Sequence, residues 1–497
     1  MRTHSSARRR INHVFREIIV GAALLISVRP ALSEDQIHSM SRAPCGAGDR
    51  TESGLQGQTT LAERFSSGPT LAYNCNLELV GAFAGEGSGA DVEAFDICAY
   101  YSTANNPALQ HPGVTVLDVS NSRRPTIATY LSSPAMLDAH ESLDIHVGRK
   151  LLIASRPGST FDIYDLSADC RRPELKSSVS YPGLFSHAGQ FSSDGNIYYG
   201  ATWPPTVNGA VDSSVFALDV SDPSHPRIID TWKPPQRNWT THSVGVNKEG
   251  SRLYVSLKRM TDESVPGAGP NGLVILDASD VSNHRSGGQF RLISTLFWND
   301  SHGAEGTTLA KIRGRPYLIF TDNSGTLATS HPCDLKNASG GFARIIDLQN
   351  EQLPRVASRL LLEVADPANC ERIRYDAGAY GGFACSVDDP EDAKLAACGY
   401  FESGLRIFDI RDPGRPEEVA YYKPPALRTG HRPGSLFRAL APKDKPALDK
   451  TADAVIIAPL FRPNGEIWFT SADNGFQVVR FTDRFKSLRP ELFRHRE

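Results

Sequence analysis

The chain predicts an all-β fold, a seven-bladed β-propeller whose last blade is completed by a strand from near the N-terminus. Three observations carry that reading. One motif recurs: 113-GVTVLDVSNSRRP, 159-STFDIYDLSADCRRP, 213-SSVFALDVSDPSHP, 271-NGLVILDASDVS, 340-GGFARIIDLQNEQLP and 403-SGLRIFDIRDPGRP are each a hydrophobic strand ending in Asp, then a polar turn that usually closes on Pro. The repeat Asp residues lie 47, 54, 58, 70 and 62 positions apart, a period that suits four short strands per unit. Between the motifs, runs such as KLLIAS, NIYYGAT, RLYVSL, PYLIFTD and EIWFTSAD are bounded by Gly, Pro, Asn and Asp, and no amphipathic helical period appears.

The elements follow in order. Residues 1–33 read as a secretory signal, with Arg8, Arg9 and Arg10 before the apolar stretch Ile18–Val28 and small residues at Ala31 and Ser33. That stretch is too short for a membrane anchor, and no later segment predicts a span. Residues 34–75 are rich in Ser, Gly, Thr and Ala and predict a flexible lead-in. Residues 76–483 form the propeller, and 484–497 a C-terminal tail. In one unit, ESLDIHV supplies the innermost strand, KLLIAS the second, TFDIYDL the third and LKSSVSYP the outer one. A seventh motif, 474-NGFQVVRFT, lacks the Asp and ends the series after three strands. The orphan strand Leu77–Phe83 supplies its missing fourth, leaving no open sheet edge.

Composition narrows the partners. Net charge is −3 over 497 residues, and no basic run follows the N-terminus, so nucleic acid and anionic membrane surfaces are poor candidates. Eight Cys beyond the signal, an even number, predict disulfides in an oxidising compartment, periplasmic or extracellular. Cys385 and Cys398 flank a turn-like DDPEDAK and suit a pair across adjacent strands. Cys333 and Cys370 fall in long loops of one face, and the pairing of Cys45, Cys75, Cys98 and Cys170 stays open.

Histidines recur at one phase of the repeat. His140, His187, His242, His302 and His431 follow their repeat Asp by 22, 22, 23, 25 and 22 residues. That phase is where an outer strand hands over to the next blade's innermost strand, on the face that also carries the long loops. Imidazoles converging on an axis suit copper or iron, with zinc as the third candidate, whereas calcium and magnesium need oxygen ligands. His140, His187, His242 and His302 come from consecutive blades and form the favoured ligand set. His431 completes it or serves as an acid or base. The equivalent phase of the first blade offers Asp91 or Glu93. The sixth offers Arg374, Tyr375 or Asp376, a possible anchor for an anionic substrate. A repeated His can equally tie neighbouring blades together by hydrogen bonds. His146 reads as packed, and the repeat Asp residues as organisers of the turn that follows them.

The segments GVTVLDVSN, FALDVSDPSHP and GLRIFDIRDPGRP resemble the LVIVD repeat family of extracytoplasmic β-propellers. The resemblance spans most of residues 76–482 and implies the fold but no particular activity. In architecture alone the chain is similar to the selenium-binding protein and methanethiol oxidase propellers, whose channel-facing histidines are associated with copper. The carotenoid-cleaving dioxygenases, in which four histidines hold one iron, are similar in the same way. These likenesses are of architecture and do not settle function. The chemistry does more, since a metal with open positions activates dioxygen or polarises a water. An all-histidine site favours a metal-dependent oxidase or oxygenase acting on a small molecule in the channel, with hydrolysis the zinc alternative. The alternative is a propeller without catalysis that binds a protein or glycan on its loop-bearing face.

Overall fold

The computed structural model describes residues 39–60, 71–155, 159–184, 186–202, 213–236, 238–258, 269–285, 287–323, 341–373, 380–427, 431–436 and 452–493. The signal, Cys333, Arg374, Tyr375 and Asp376 therefore lie outside the described residues. Seven antiparallel sheets make up the molecule. Blades 1 to 5 each take four strands consecutive in sequence, beginning at Val92–Phe95, Asp144–His146, Ser186–Phe191, Thr241–Val246 and Ala304–Ile312. Innermost strands of successive blades touch, and the innermost strand of blade 7, Leu460–Phe461, touches that of blade 1. The ring is thereby closed.

Closure uses the strand expected for it. Leu77–Phe83 pairs antiparallel with Gly475–Phe481 as the outer strand of blade 7, from Leu77↔Phe481 to Phe83↔Phe476. Just before it, Tyr73–Cys75 adds a fifth strand to blade 6 by pairing with Glu417–Lys423. Asn76, at φ +57°, turns the chain from one blade to the next; Asn tolerates the left-handed region better than most residues. Gly81 sits at a bulge in the closing strand, where a Cβ would lie 2.2 Å from the Ser122 carbonyl oxygen of blade 1. Only glycine lets the backbones approach so closely.

Alternation along the strands gives each sheet two apolar faces, and the core lies between blades rather than at a centre. Blades 3 and 4 meet through Tyr199, Val215 and Ala217 against Leu253, Val255 and Val274. Blades 4 and 5 meet through Leu273 and Ile275 against Leu318 and Phe320. The six repeat Asp residues all accept the backbone N–H two residues on, at Ser120, Ser167, Ser221, Ser279, Gln349 and Arg411. That is the turn-organising role expected of them.

The expected disulfide Cys385–Cys398 joins directly opposed residues of adjacent strands. Cys45–Cys75 and Cys98–Cys170 complete the pairs formed wholly among described residues. The lead-in is not loose where it is described. Residues 39–60 pack against blades 5 and 6, and Glu52 ion-pairs with the buried Arg406 and, at 3.1 Å, with the buried Lys423. No helix among the described residues is long and apolar enough to cross a membrane.

Candidate metal centre at the channel mouth

Strand register decides which side chains share a level of the channel. The first paired residues of innermost and second strands are Ser186↔Thr202 in blade 3, Thr241↔Leu257 in blade 4 and Ala304↔Asp322 in blade 5. A bulge follows each pair, and the first residue in it is His187, His242 or Glu305. Glu141 joins this row through a parallel bridge to Ala188. His140 precedes it with φ +52°, a conformation unusual for a non-glycine residue. Backbone held in this region is a recurrent feature of functional sites.

These side chains meet. His187 Nε2 lies 2.9 Å from His242 Nε2. Glu141 spans the group, with Oε1 3.4 Å from His140 Nε2 and Oε2 3.5 Å from His187 Nε2 and 3.9 Å from His242 Nε2. Glu305 Oε1 is 3.7 Å from His242 Nε2. Its other oxygen accepts hydrogen bonds from Lys258 and from Asn323 Nδ2, the latter at 2.8 Å. Lys258 Nζ also lies 3.2 Å from His242 Nε2. An ammonium only donates, so the His242 nitrogen facing it presents its lone pair to Lys258.

Two overlapping sets of ligand atoms result, each within 4.8 Å: His140, Glu141 and His187, and Glu141, His242 and Glu305. The other such set among the described residues, Cys45, Asp49 and Cys75, contains a disulfide and so lacks thiolates. His187 and His242 are 5% and 1% exposed, which removes them from solvent competition. Burial first, then nearby positive charge, holds both imidazoles well below their ordinary range, and burial lowers His140. All three imidazoles are therefore neutral at neutral pH. Burial pushes Glu141 up to about 7 and Glu305 up to about 8, with Lys258 opposing it in both cases.

The remaining candidates divide. His302 lies two residues before the strand Ala304–Ile312, and Glu305 takes the level assigned to it; neither His302 nor His431 joins the two sets. His431 lies between blades 6 and 7, its Nδ1 2.9 Å from Asp473 Oδ2. Asp91 accepts the Leu143 N–H at 2.7 Å, linking blade 1 to blade 2. Glu93 stands with Asp91 and Asp144; burial and these neighbouring carboxylates hold it well above its ordinary range. His146 is packed, its Nε2 2.7 Å from the Ser193 carbonyl oxygen and its Nδ1 accepting the Arg149 N–H. Glu141, Glu305, Lys258 and Asn323 escaped sequence reasoning. Glu141 had a usable signal, its place beside a ring histidine.

At the other end of the innermost strands, a groove of about 1180 Å³ opens beside Val246, Thr307 and Ser386. Its charges neutralise one another, Arg252 with Glu351 and Lys311 with Glu391, leaving no converging donor set there.

Fold and cluster together define a seven-bladed propeller with a mixed imidazole–carboxylate group at one end of its channel. No protein-family model matches the chain, and no curated protein sequence matches it. The likeness to LVIVD repeats therefore rests on the quoted motifs, and that to the selenium-binding and methanethiol oxidase propellers on architecture.

Proposed function

We propose that the chain is a metal-dependent propeller enzyme, an oxidase or oxygenase, that handles a small molecule at the mouth of its channel. The observation that supports this most is the convergence of three neutral imidazoles and Glu141 from successive blades. Imidazole donors favour copper, iron or zinc, and the carboxylate suits iron and zinc better than copper. His187 Nε2 and His242 Nε2, 2.9 Å apart, bring two imidazole nitrogens to one point. His140, Glu141 and His187 would hold the ion, with His242 beside it, and rigid blades would fix their spacing before binding. Bound there, the metal would supply dioxygen activation or a polarised water. Three disulfides support a periplasmic or secreted location for the mature protein.

Elemental analysis of residues 34–497, purified without chelator or affinity nickel, tests the reading. Near-stoichiometric copper, iron or zinc is expected, and a His187→Ala/His242→Ala double variant should lose it. A chain that stays metal-free after reconstitution with each ion would instead favour a propeller that binds a protein or glycan.

A further inference from the structure

The two ligand sets share one carboxylate, an arrangement that ordinarily serves two cations. Glu141 turns Oε1 toward His140 and Oε2 toward both His187 and His242. A carboxylate bridging two divalent ions would hold them about 3.5–4 Å apart. In the second set, however, the acceptors face a cation that the chain itself provides. Lys258 Nζ ion-pairs with Glu305 and lies 3.2 Å from His242 Nε2, and its side chain is only 15% exposed. Asn323 fixes the same Glu305 oxygen that Lys258 engages.

We propose that the cluster is a two-cation centre in which Lys258 is the second cation. A single metal ion takes the set formed by His140, Glu141 and His187, with His242 at its edge. This inference rests on the metal-binding reading above. Charge supports it: with each carboxylate ionised by the cation it faces, one divalent ion and the ammonium against Glu141 and Glu305 leave a single net positive charge. A second divalent ion beside Lys258 would raise that to three in a buried site, where unpaired charge is costly. A tethered ammonium cannot dissociate and opens no second coordination site, so metal chemistry is confined to one ion.

The test is zinc stoichiometry after reconstitution and desalting, in wild type, Lys258→Met, Lys258→Arg and the Lys258→Met/Glu305→Gln double variant. Far-UV circular dichroism verifies folding of each. One zinc per chain is expected in wild type and Lys258→Arg, two in Lys258→Met, and one again in the double variant. Two zincs in wild type would overturn the proposal, and so would one in both wild type and a folded Lys258→Met. Should Lys258→Met fail to fold, Lys258→Gln takes its place with the same expectation of two zincs. Zinc in neither wild type nor any variant would overturn the metal reading itself, a distinguishable result.

Discussion

Asp162 is 0% exposed, yet it stands apart from the histidine cluster. Its Oδ2 accepts the Ala135 N–H at 2.7 Å, the Met136 N–H at 3.3 Å and the Ser133 hydroxyl. Those residues begin the connection that carries His140 and Glu141 into blade 2. The carboxylate thus fixes the segment whose left-handed backbone at His140 aims that side chain into the cluster. Asp162→Ala should cost about 2–3 kcal/mol, the scale of a charged buried acceptor lost with its donors left unpaired. Urea unfolding monitored by tryptophan fluorescence measures it, and a change below about 0.5 kcal/mol would refute the assignment. At this scale the sequence was partly legible. His187 and His242 could be found by counting because both blades enter their innermost strands at offsets from the repeat Asp that differ by only one residue. His302 could not. The connection into blade 5 is longer, and counting cannot see where the ladder begins, so it selects His302 when pairing selects Glu305.

Among elements, the stretch before the propeller departs most from what its composition suggests. Ser, Gly and Thr predict slack, and composition does not reveal that one Glu and one Cys bind the stretch to blade 6. Glu52 is held below its ordinary range: burial pushes it up, but Arg406 and Lys423 outweigh burial. A carboxylate with a depressed folded value contributes stability above the unfolded value of about 4.3, and loses it as pH falls through the folded value. Wild type should therefore show a melting temperature that drops steeply below about pH 4. Glu52→Gln should flatten that drop and, at neutral pH, cost about 3–5 kcal/mol by leaving Arg406 and Lys423 short of a counter-charge. Differential scanning calorimetry from pH 3 to 7 checks both. A variant whose profile overlays the wild type would show that Glu52 does not anchor the stretch.

For the whole molecule, ring closure was the most legible property, because a motif series ending one strand short and an orphan strand at the other end define each other. Apolar faces between blades make the ring interdependent, since every blade has two partners and none has a core of its own. Deleting residues 34–83 would remove the outer strand of blade 7 and the fifth strand of blade 6 together, exposing two strand edges. Unprotected edges recruit other chains, so the truncated protein should elute from size exclusion as aggregates, whereas the mature chain should not. A truncated form that elutes as a sharp monomer would show that neither strand is needed to close the ring.

The joining of first and last strands also sets a clock on biosynthesis. Glu78 and its ion-pair partner Arg480 are 402 positions apart, so the closing strand emerges from the ribosome almost a whole chain before the strand it must meet. At translation rates of about 5–20 residues per second, that wait is roughly 20–80 s. Over that time an apolar, hydrogen-bond-hungry segment stays available to any passing strand. Ring closure therefore waits for the last blade, and until then the unpaired closing strand is the segment a chaperone would have to cover.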